Sequence, residues 1–227
     1  MKETGFTTKK QTMKTPETMR SRSISVMDPS SIRGQEMVQK PALLLHSCCG
    51  PCSTSVIEQL SGEYAVTVFF YNPCITEEDE YVRRRSAQRE FIEKYNEKHP
   101  SQDPVGFIEG RYQPISFLRL VEGYEDAPEG GERCGLCFRQ RLEKTAETGR
   151  LHGFDYFTTT LTVSPHKNQR KISEIGREIG SRYGISFLDR DFKKKDGFKR
   201  SIELSKEYGL YRQNYCGCRF SKNAEEE

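Results

Sequence analysis

The sequence predicts an α/β protein with a mainly parallel five-stranded sheet flanked by helices. Two observations lead to this prediction. Five short apolar runs alternate with longer segments of helical periodicity, and no segment of the chain repeats. The apolar runs are nearly continuous, as expected for parallel strands that helices cover on both faces. Right-handed crossovers between such strands place every strand-to-helix loop at one edge of the sheet.

The predicted elements follow one another in order from residue 41. The strands are ALLLHS (42–47), YAVTVFFYN (64–72), PVGFIEG (104–110), FDYFTTT (154–160) and ISFLDRDF (185–192). β-Branched and aromatic residues, which favour strands, are frequent in these runs. The helices are predicted at residues 53–60, 76–99, 114–123, 133–149, 166–184 and 197–209. Several of these helices begin with N-cap side chains or an acidic first turn, and several end at a glycine.

Residues 1–40 differ in composition from the rest of the chain. They are rich in Ser, Thr, Lys and Met and show no regular period, so we predict a disordered extension. They carry a net charge of +4, whereas the remainder carries −1, so a globally basic nucleic-acid-binding surface is not indicated. A solvated leader is favoured here over an RNA-binding arm. Residues 41–221 form one predicted α/β domain, and residues 222–227 form a C-terminal tail.

The chain lacks membrane and secretion signals. No apolar run approaches the roughly 20 residues of a membrane span, and the N-terminus has no apolar block of the secretory kind. We therefore expect a cytoplasmic protein with no membrane partner. In that reducing compartment, the eight cysteines of the chain indicate metal binding or redox catalysis rather than structural disulfides.

Two cysteine groups come directly after predicted strands. Cys48, Cys49 and Cys52 in CCGPC follow the first strand, and Cys74 follows the second. Ligands of parallel sheets bind beyond the carboxyl ends of the strands, so these thiols lie at the expected site. CCGPC is predicted to be a loop whose Gly-Pro pair bends the chain and aims neighbouring thiols at one point. Cys74 stands alone after a proline and is more typical of a small buried hydrophobe.

Cys134 and Cys137 in CGLC lie three residues apart near a predicted helix start. Positions i and i+3 share a helix face, and the helix N-terminus favours the thiolate form. Thiolates from CGLC and CCGPC together would suit one zinc ion or one iron–sulfur cluster. Composition alone does not choose between the two metals. Iron is favoured because the chain has more cysteines than one tetrahedral zinc needs, and because Cys216 and Cys218 in CGC are left over for electron chemistry.

Six ordered blocks of the sequence resemble one known family. They are LLLHSCCGPC, FFYNPCITEEDEYVRR, GERCGLCFRQRLEKTA, FTTTLTVSPHKN, IGREIGSRYGISFLDRDFKK and LSKEYGLYRQNYCGCRFS, and they span about residues 41–221. The resemblance is to the QueH-type epoxyqueuosine reductases, which work without cobalamin in queuosine biosynthesis. It implies a Rossmann-like fold of the adenine-nucleotide alpha-hydrolase type, in agreement with the five strand–helix units.

The resemblance also implies an activity and its parts. The family reduces the epoxide of epoxyqueuosine in tRNA to give queuosine, and it uses a [4Fe-4S] cluster with a further iron ion beside it. Matched by motif, the cluster ligands would be Cys48, Cys49, Cys134 and Cys137, and the redox-active catalytic pair would be Cys216 and Cys218. Cys52 would be a ligand of the second iron, since some members carry an acid there. An electron donor, which the sequence does not identify, is also implied.

The CGC segment admits two interpretations. A disulfide between Cys216 and Cys218 would close a very small ring, and its strain would make the bond labile and redox-active. Alternatively, both cysteines are further metal ligands. We favour the redox pair.

An RNA substrate is bound by aromatic side chains that stack on bases and by basic side chains that contact phosphates. Arg212 and Tyr215 lie in YRQNY beside CGC, and His166 and Lys167 lie at a predicted helix start that would suit a phosphate. The basic run in EYVRRR is equally typical of a solvated helix face. His46 is expected to pack or form hydrogen bonds beneath the cysteine loop rather than to act in catalysis.

Two functions of other classes compete with the reductase. A zinc-stabilised, non-catalytic RNA-binding module would account for the metal-binding cysteines but would leave CGC unexplained. An ATP-dependent tRNA-modifying enzyme of the related fold would need a phosphate-binding turn rich in glycine and containing serine. CCGPCS stands where that turn would be, so the ATP-dependent function is disfavoured.

Overall fold

The computed structural model describes Met1 and residues 39–222. The predicted extension lies outside the described residues except for Met1, Gln39 and Lys40, and the predicted tail does so except for Lys222. Within the described residues, none of the helices combines the length and the hydropathy that a membrane span requires.

Five strands form one sheet. They are β1 (Ala42–Ser47), β2 (Ala65–Phe70), β3 (Gly106–Glu109), β4 (Tyr156–Thr159) and β5 (Ser186–Phe187). Their order across the sheet is β3-β2-β1-β4-β5, and every pairing is parallel. The predicted Rossmann-like α/β class is therefore confirmed, with an entirely parallel sheet. The strand order reverses between β1 and β4, which makes the carboxyl ends of these two strands the expected ligand site.

Seven helices surround the sheet in the described part of the chain. They are α1 (Gly50–Leu60), α2 (Glu78–Lys98), α3 (Pro114–Leu120), α4 (Glu132–Leu151), α5 (Gln169–Tyr183), α6 (Gly197–Glu207) and α7 (Arg219–Lys222). A short 3₁₀ helix (Thr160–Val163) follows β4 directly. All six helices predicted from the sequence are present, and α7 was not predicted. The predicted fifth strand is shorter than expected, because only Ser186 and Phe187 pair with β4.

Helices cover both faces of the sheet. Leu43 and Leu45 of β1 pack into one buried cluster together with residues of α1, α2 and α6. Leu44 points the other way and packs into a second cluster with residues of α4 and α5. Successive side chains of a strand alternate between faces, so a strand that is buried on both sides must be apolar throughout. This explains the continuous apolar run from which the strand was predicted.

The start of α1 lies directly against α2. Cys49 is the N-cap residue in an extended conformation, and a proline occupies the first turn, where its missing N–H costs nothing. A Cβ atom added at Gly50 would lie 2.8 Å from the carbonyl oxygen of Ala87 in α2. Only glycine permits this approach, and the approach fixes the position of the flanking cysteines.

We therefore predict that Gly50→Ala lowers the free energy of unfolding by about 1–3 kcal/mol, because the added methyl group meets rigid helix backbone. Gly62→Ala is the matched control, since a Cβ there meets nothing within 4 Å. Thermal or urea unfolding of both variants measures the difference. Equal stability of the two variants would show that α1 does not approach α2 as closely as described.

Candidate metal centre

Three thiols lie together where β1 passes into α1. The sulfur atoms of Cys48, Cys49 and Cys52 all lie within 4.8 Å of one another, and those of Cys48 and Cys49 are 3.8 Å apart. The backbone N–H of Cys52 donates to the Cys49 sulfur at 3.4 Å, so this sulfur caps the helix. The expectation of an irregular CCGPC loop is wrong for Gly50–Cys52, which form the first turn of α1. The change from strand to helix brings together thiols that would diverge on a continuous strand.

The spacing of these thiols fits a metal ion. Two thiolates bound at about 2.3 Å to one tetrahedral ion lie about 3.8 Å apart. Hydrogen bonds from Cys49 and Cys52 hold the pKa of Cys48 well below its usual range. Burial and the hydrogen bond to Cys48 raise the pKa of Cys49 to about 12, and hydrogen bonds to its two neighbours raise the pKa of Cys52. One sulfur is therefore readily ionised, and a bound metal would displace the other two protons.

A buried cation faces these thiols. Arg141 of α4 is 1% exposed, and its Nε donates to the carbonyl oxygen of Cys137 at 3.2 Å. Its Nη2 is buried and has no hydrogen-bond partner among the described residues, and no described carboxylate forms an ion pair with it. Although burial lowers the pKa of Arg141, the thiols of Cys137, Cys74 and Cys216 raise it overall.

A buried charge without a counter-charge costs several kcal/mol. The guanidinium of Arg141 thus requires negative charge in this pocket, and cysteine sulfurs are the groups positioned to supply it. Thiolates that hold a metal carry such charge at neutral pH. The donor atoms, the orphaned Nη2 and the unbalanced positive charge therefore all fit a thiolate-bound metal centre.

A cavity of about 340 Å³ opens onto this pocket. It lies beyond the carboxyl ends of β1 and β4, as the strand order requires. Four cationic side chains and one carboxylate line it: Arg84, Arg141, Lys167, Arg212 and Glu129. Cys48, Cys52 and Cys216 line it as well, so the thiols face a positively charged space.

The two cysteines of α4 occupy different environments. The Cys134 sulfur accepts a hydrogen bond from the Gly130 N–H at 3.3 Å, and its side chain packs against the cluster beneath α4 and α5. Cys137 is buried in a third apolar cluster. The structure does not place either sulfur within the tight group formed by Cys48, Cys49 and Cys52. A cluster of several iron atoms spreads its ligands more widely than one ion does, so the set of four cluster ligands remains a prediction.

Cys74 lies beside Cys137, a neighbour that the sequence did not reveal. Both residues belong to the third apolar cluster, and Cys74 is 2% exposed. The hydrogen bond from Cys137 lowers the pKa of Cys74 to about 6, whereas the same bond and burial raise that of Cys137. The expected effect of the helix N-terminus on Cys137 is thus outweighed. The only sequence signal for this contact was that Cys74 follows β2 at the same edge of the sheet.

Cys216 and Cys218 face different surroundings although one residue separates them. Cys216 lines the cavity, whereas Cys218 packs into the third apolar cluster and its thiol lies 3.5 Å from the Ser221 hydroxyl. Gly217 between them has φ +110, a conformation that favours glycine. All eight cysteines are free thiols in the structure.

The predicted RNA-binding residues share one location. His166, Lys167, Arg212 and Tyr215 all line the cavity. The thiols of Cys216 and Cys48 raise the pKa of Lys167 although burial lowers it, so this ammonium stays charged. The three arginines of EYVRRR separate: Arg84 is buried, whereas Arg83 and Arg85 form ion pairs with Glu80 and Glu109 nearer the surface. For Arg84, the alternative of a solvated helix face is therefore excluded.

His46 packs and forms hydrogen bonds beneath the cysteines, as expected. It is fully buried, with Nδ1 2.8 Å from the Thr159 hydroxyl and Nε2 3.2 Å from the Tyr71 carbonyl oxygen. A carbonyl only accepts, so Nε2 carries the proton, and Nδ1 accepts from Thr159. Burial lowers the pKa of His46 to about 3, which keeps the ring neutral.

Comparison with known proteins agrees with this site. The family described as "Epoxyqueuosine reductase QueH" matches residues 43–224. A protein of that name from Streptococcus pyogenes serotype M1 is 44% identical over 179 residues, which cover 79% of this chain and 69% of the relative. One from Staphylococcus epidermidis is 41% identical, covering 81% and 77%, and one from Thermotoga maritima is 37% identical, covering 79% and 89%.

The chain belongs to the epoxyqueuosine reductase QueH family. The resemblance found in the six sequence blocks is thereby confirmed, and the protein is an oxidoreductase. The region matched to the QueH family contains all eight cysteines and every residue that lines the cavity.

We predict that His46→Gln retains near-native stability, because an amide can reproduce both hydrogen bonds of the neutral imidazole. His46→Leu should cost about 1–3 kcal/mol for each polar group left unpaired, at Thr159 and Tyr71. Thermal unfolding measures this difference, and metal content should match the wild type in both variants. Loss of metal from His46→Gln would show instead that the ring is a ligand.

Proposed function

We propose that this protein reduces the epoxide of epoxyqueuosine in tRNA to the alkene of queuosine. The observation that carries the proposal is the group of cysteines around one basic cavity at the strand-order reversal. Cys48, Cys52 and Cys216 all line this cavity. A reduction that needs both an electron-carrying centre and a dithiol would use thiols placed in this way.

The proposed cofactor is a [4Fe-4S] cluster held by Cys48, Cys49, Cys134 and Cys137, with an adjacent iron ion to which Cys52 contributes. The closeness of the first three thiols and the unbalanced charge of Arg141 support an anionic centre here. Such a centre supplies single electrons, and an iron with an open coordination position supplies a Lewis acid for the epoxide oxygen. With such a centre bound, the orphaned Nη2 of Arg141 would be available to donate a hydrogen bond to it.

The overall reaction balances with one dithiol. Two electrons and two protons convert an epoxide into an alkene, with both carbon–oxygen bonds broken and the oxygen leaving as water. The thiols of Cys216 and Cys218 supply these electrons and protons, and the two sulfurs join in a disulfide. An external electron donor then reduces the disulfide and returns the pair to thiols. The exposed side of Cys216 and the buried position of Cys218 suit a substrate-facing and a resolving thiol.

The cations of the cavity suit an RNA ligand. Lys167 and Arg212 would contact phosphates, and the rings of Tyr215 and His166 would stack on or hydrogen-bond to bases. Arg212 also lies over the ring of Phe198, with 5.7 Å between the guanidinium carbon and the ring centroid, which orients it at the cavity. Because tRNA and reduced thiols both belong to the cytoplasm, we propose that the enzyme acts there.

Zinc remains the rival occupant, because the 3.8 Å between the sulfurs of Cys48 and Cys49 suits a single tetrahedral ion. A zinc-stabilised module would give no function to the cavity or to Cys216. The reductase uses all of these features, so it is the function that the geometry supports best.

The Cys218→Ser variant tests the proposal. We predict that it keeps the metal content of the wild type but loses multiple turnover, because no disulfide can form with Cys216. Reduction of tRNA that carries epoxyqueuosine is measured under anaerobic conditions, alongside iron and sulfide content. Ser221→Ala is the control, since it removes the hydrogen-bond partner of Cys218 without removing a thiol. Loss of metal from Cys218→Ser would make this residue a ligand, and retained turnover would exclude the dithiol step.

A further inference from the structure

The segment that carries CGC has no regular secondary structure. Residues 210–218 lie between α6 and α7 and belong to no helix or strand. Gln213 in this segment donates to the Cys49 sulfur at 2.9 Å, so the segment directly touches the thiol group. Its position relative to that group therefore depends on contacts with other elements of the fold.

Arg84 of α2 makes the main contacts of this kind. It is 1% exposed, and its Nη1 and Nη2 donate to the carbonyl oxygens of Cys216 at 2.9 Å and Tyr215 at 3.1 Å. The Tyr215 ring lies over the guanidinium, with 5.1 Å between the guanidinium carbon and the ring centroid. A Cβ atom at Gly217 would come within 2.9 Å of Nη1, so the chain passes directly over the guanidinium. Only a planar fork with several donors can hold two consecutive carbonyl groups in this manner.

Glu80, one turn earlier on α2, fixes Arg84 in turn. Its Oε1 accepts from the Arg84 Nε at 2.6 Å, and the side chains of both residues are 1% exposed. Its Oε2 accepts from the Tyr211 hydroxyl at 2.7 Å. One buried carboxylate thus binds the start of the segment directly and the CGC end through Arg84. The Thr76 N–H, just before α2, adds a hydrogen bond of 3.3 Å to the Gly217 carbonyl oxygen.

We propose that Glu80 and Arg84 are positioning residues that hold Cys216 at the cavity, facing Cys48 and Cys52. The proposal rests on the proposed dithiol role of Cys216 and Cys218. Neither Glu80 nor Arg84 takes part in electron transfer. Their ion pair fixes an otherwise irregular segment, so that the dithiol and the metal-binding thiols meet the same substrate. Small displacements of reacting groups lower a reaction rate by large factors. Loss of these contacts should therefore lower kcat and leave KM nearly unchanged.

The principal test is Arg84→Lys, which keeps the buried charge beside Glu80 but cannot bind two carbonyl groups as a fork. We expect amide hydrogen exchange in residues 210–218 to speed up about tenfold, with exchange in β1 and β2 unchanged. We expect kcat per bound metal centre to fall by at least about tenfold, with the KM for tRNA changing less than about threefold. Arg89→Lys, the same substitution on an exposed face of α2, is the control and should change neither quantity.

A milder variant keeps the proposal testable should Arg84→Lys fail to fold. Tyr211→Phe removes only the hydroxyl that Glu80 binds, at a side chain that is 37% exposed. It should speed exchange in the same segment by a smaller factor and lower kcat in proportion. Unchanged exchange and unchanged kcat in the folded variants would overturn the positioning role. A wild type without reductase activity would overturn the proposed function instead, while the exchange data would still decide the contacts.

Discussion

The guanidinium of Arg141 lies in the protein interior against cysteine sulfurs, and no described carboxylate forms an ion pair with it. The remaining features of the site depend on this arrangement. A parallel sheet brings the residues after β1, β2 and β4 to one edge, and α4 brings Arg141 to the same place. Free thiols would balance the cation only in part, since burial raises the pKa of Cys49, Cys216 and Cys218. Thiolates that bind a metal would keep the pocket anionic at every physiological pH.

Two buried arginines organise this pocket from opposite faces of the sheet. Arg141 extends from α4, whose apolar side chains pack on one face, and Arg84 extends from α2, whose apolar side chains pack on the other. Arg141 supplies positive charge to the thiols, whereas Arg84 uses its donors to hold the backbone around Cys216. The CGC segment thereby closes the cavity although it has no regular structure of its own. The positive charge beside the thiols and the placement of Cys216 thus come from two different helices.

The strands and helices could be predicted from the sequence because each is encoded locally, in apolar runs and helical periods. The edge of the sheet that carries the cysteines followed from the handedness of the crossovers. Contacts between distant segments could not be predicted. Arg84 and Arg85 look alike in the sequence, yet Arg84 is buried and contacts the backbone of Tyr215 and Cys216, more than 130 residues away along the chain. The predicted start of α1 at Ser53 is three residues late, because the Cys49 sulfur caps the helix and Pro51 lies in its first turn.

Anaerobic analysis of iron, zinc and acid-labile sulfide in the purified protein tests the central claim most directly, with Cys48→Ala as the comparison. We predict a brown wild type that contains iron together with sulfide and absorbs broadly near the blue end of the visible range. Cys48→Ala should lose most of both. A colourless wild type with bound zinc and no sulfide would contradict the iron–sulfur centre, and so would a Cys48→Ala variant with undiminished iron and sulfide.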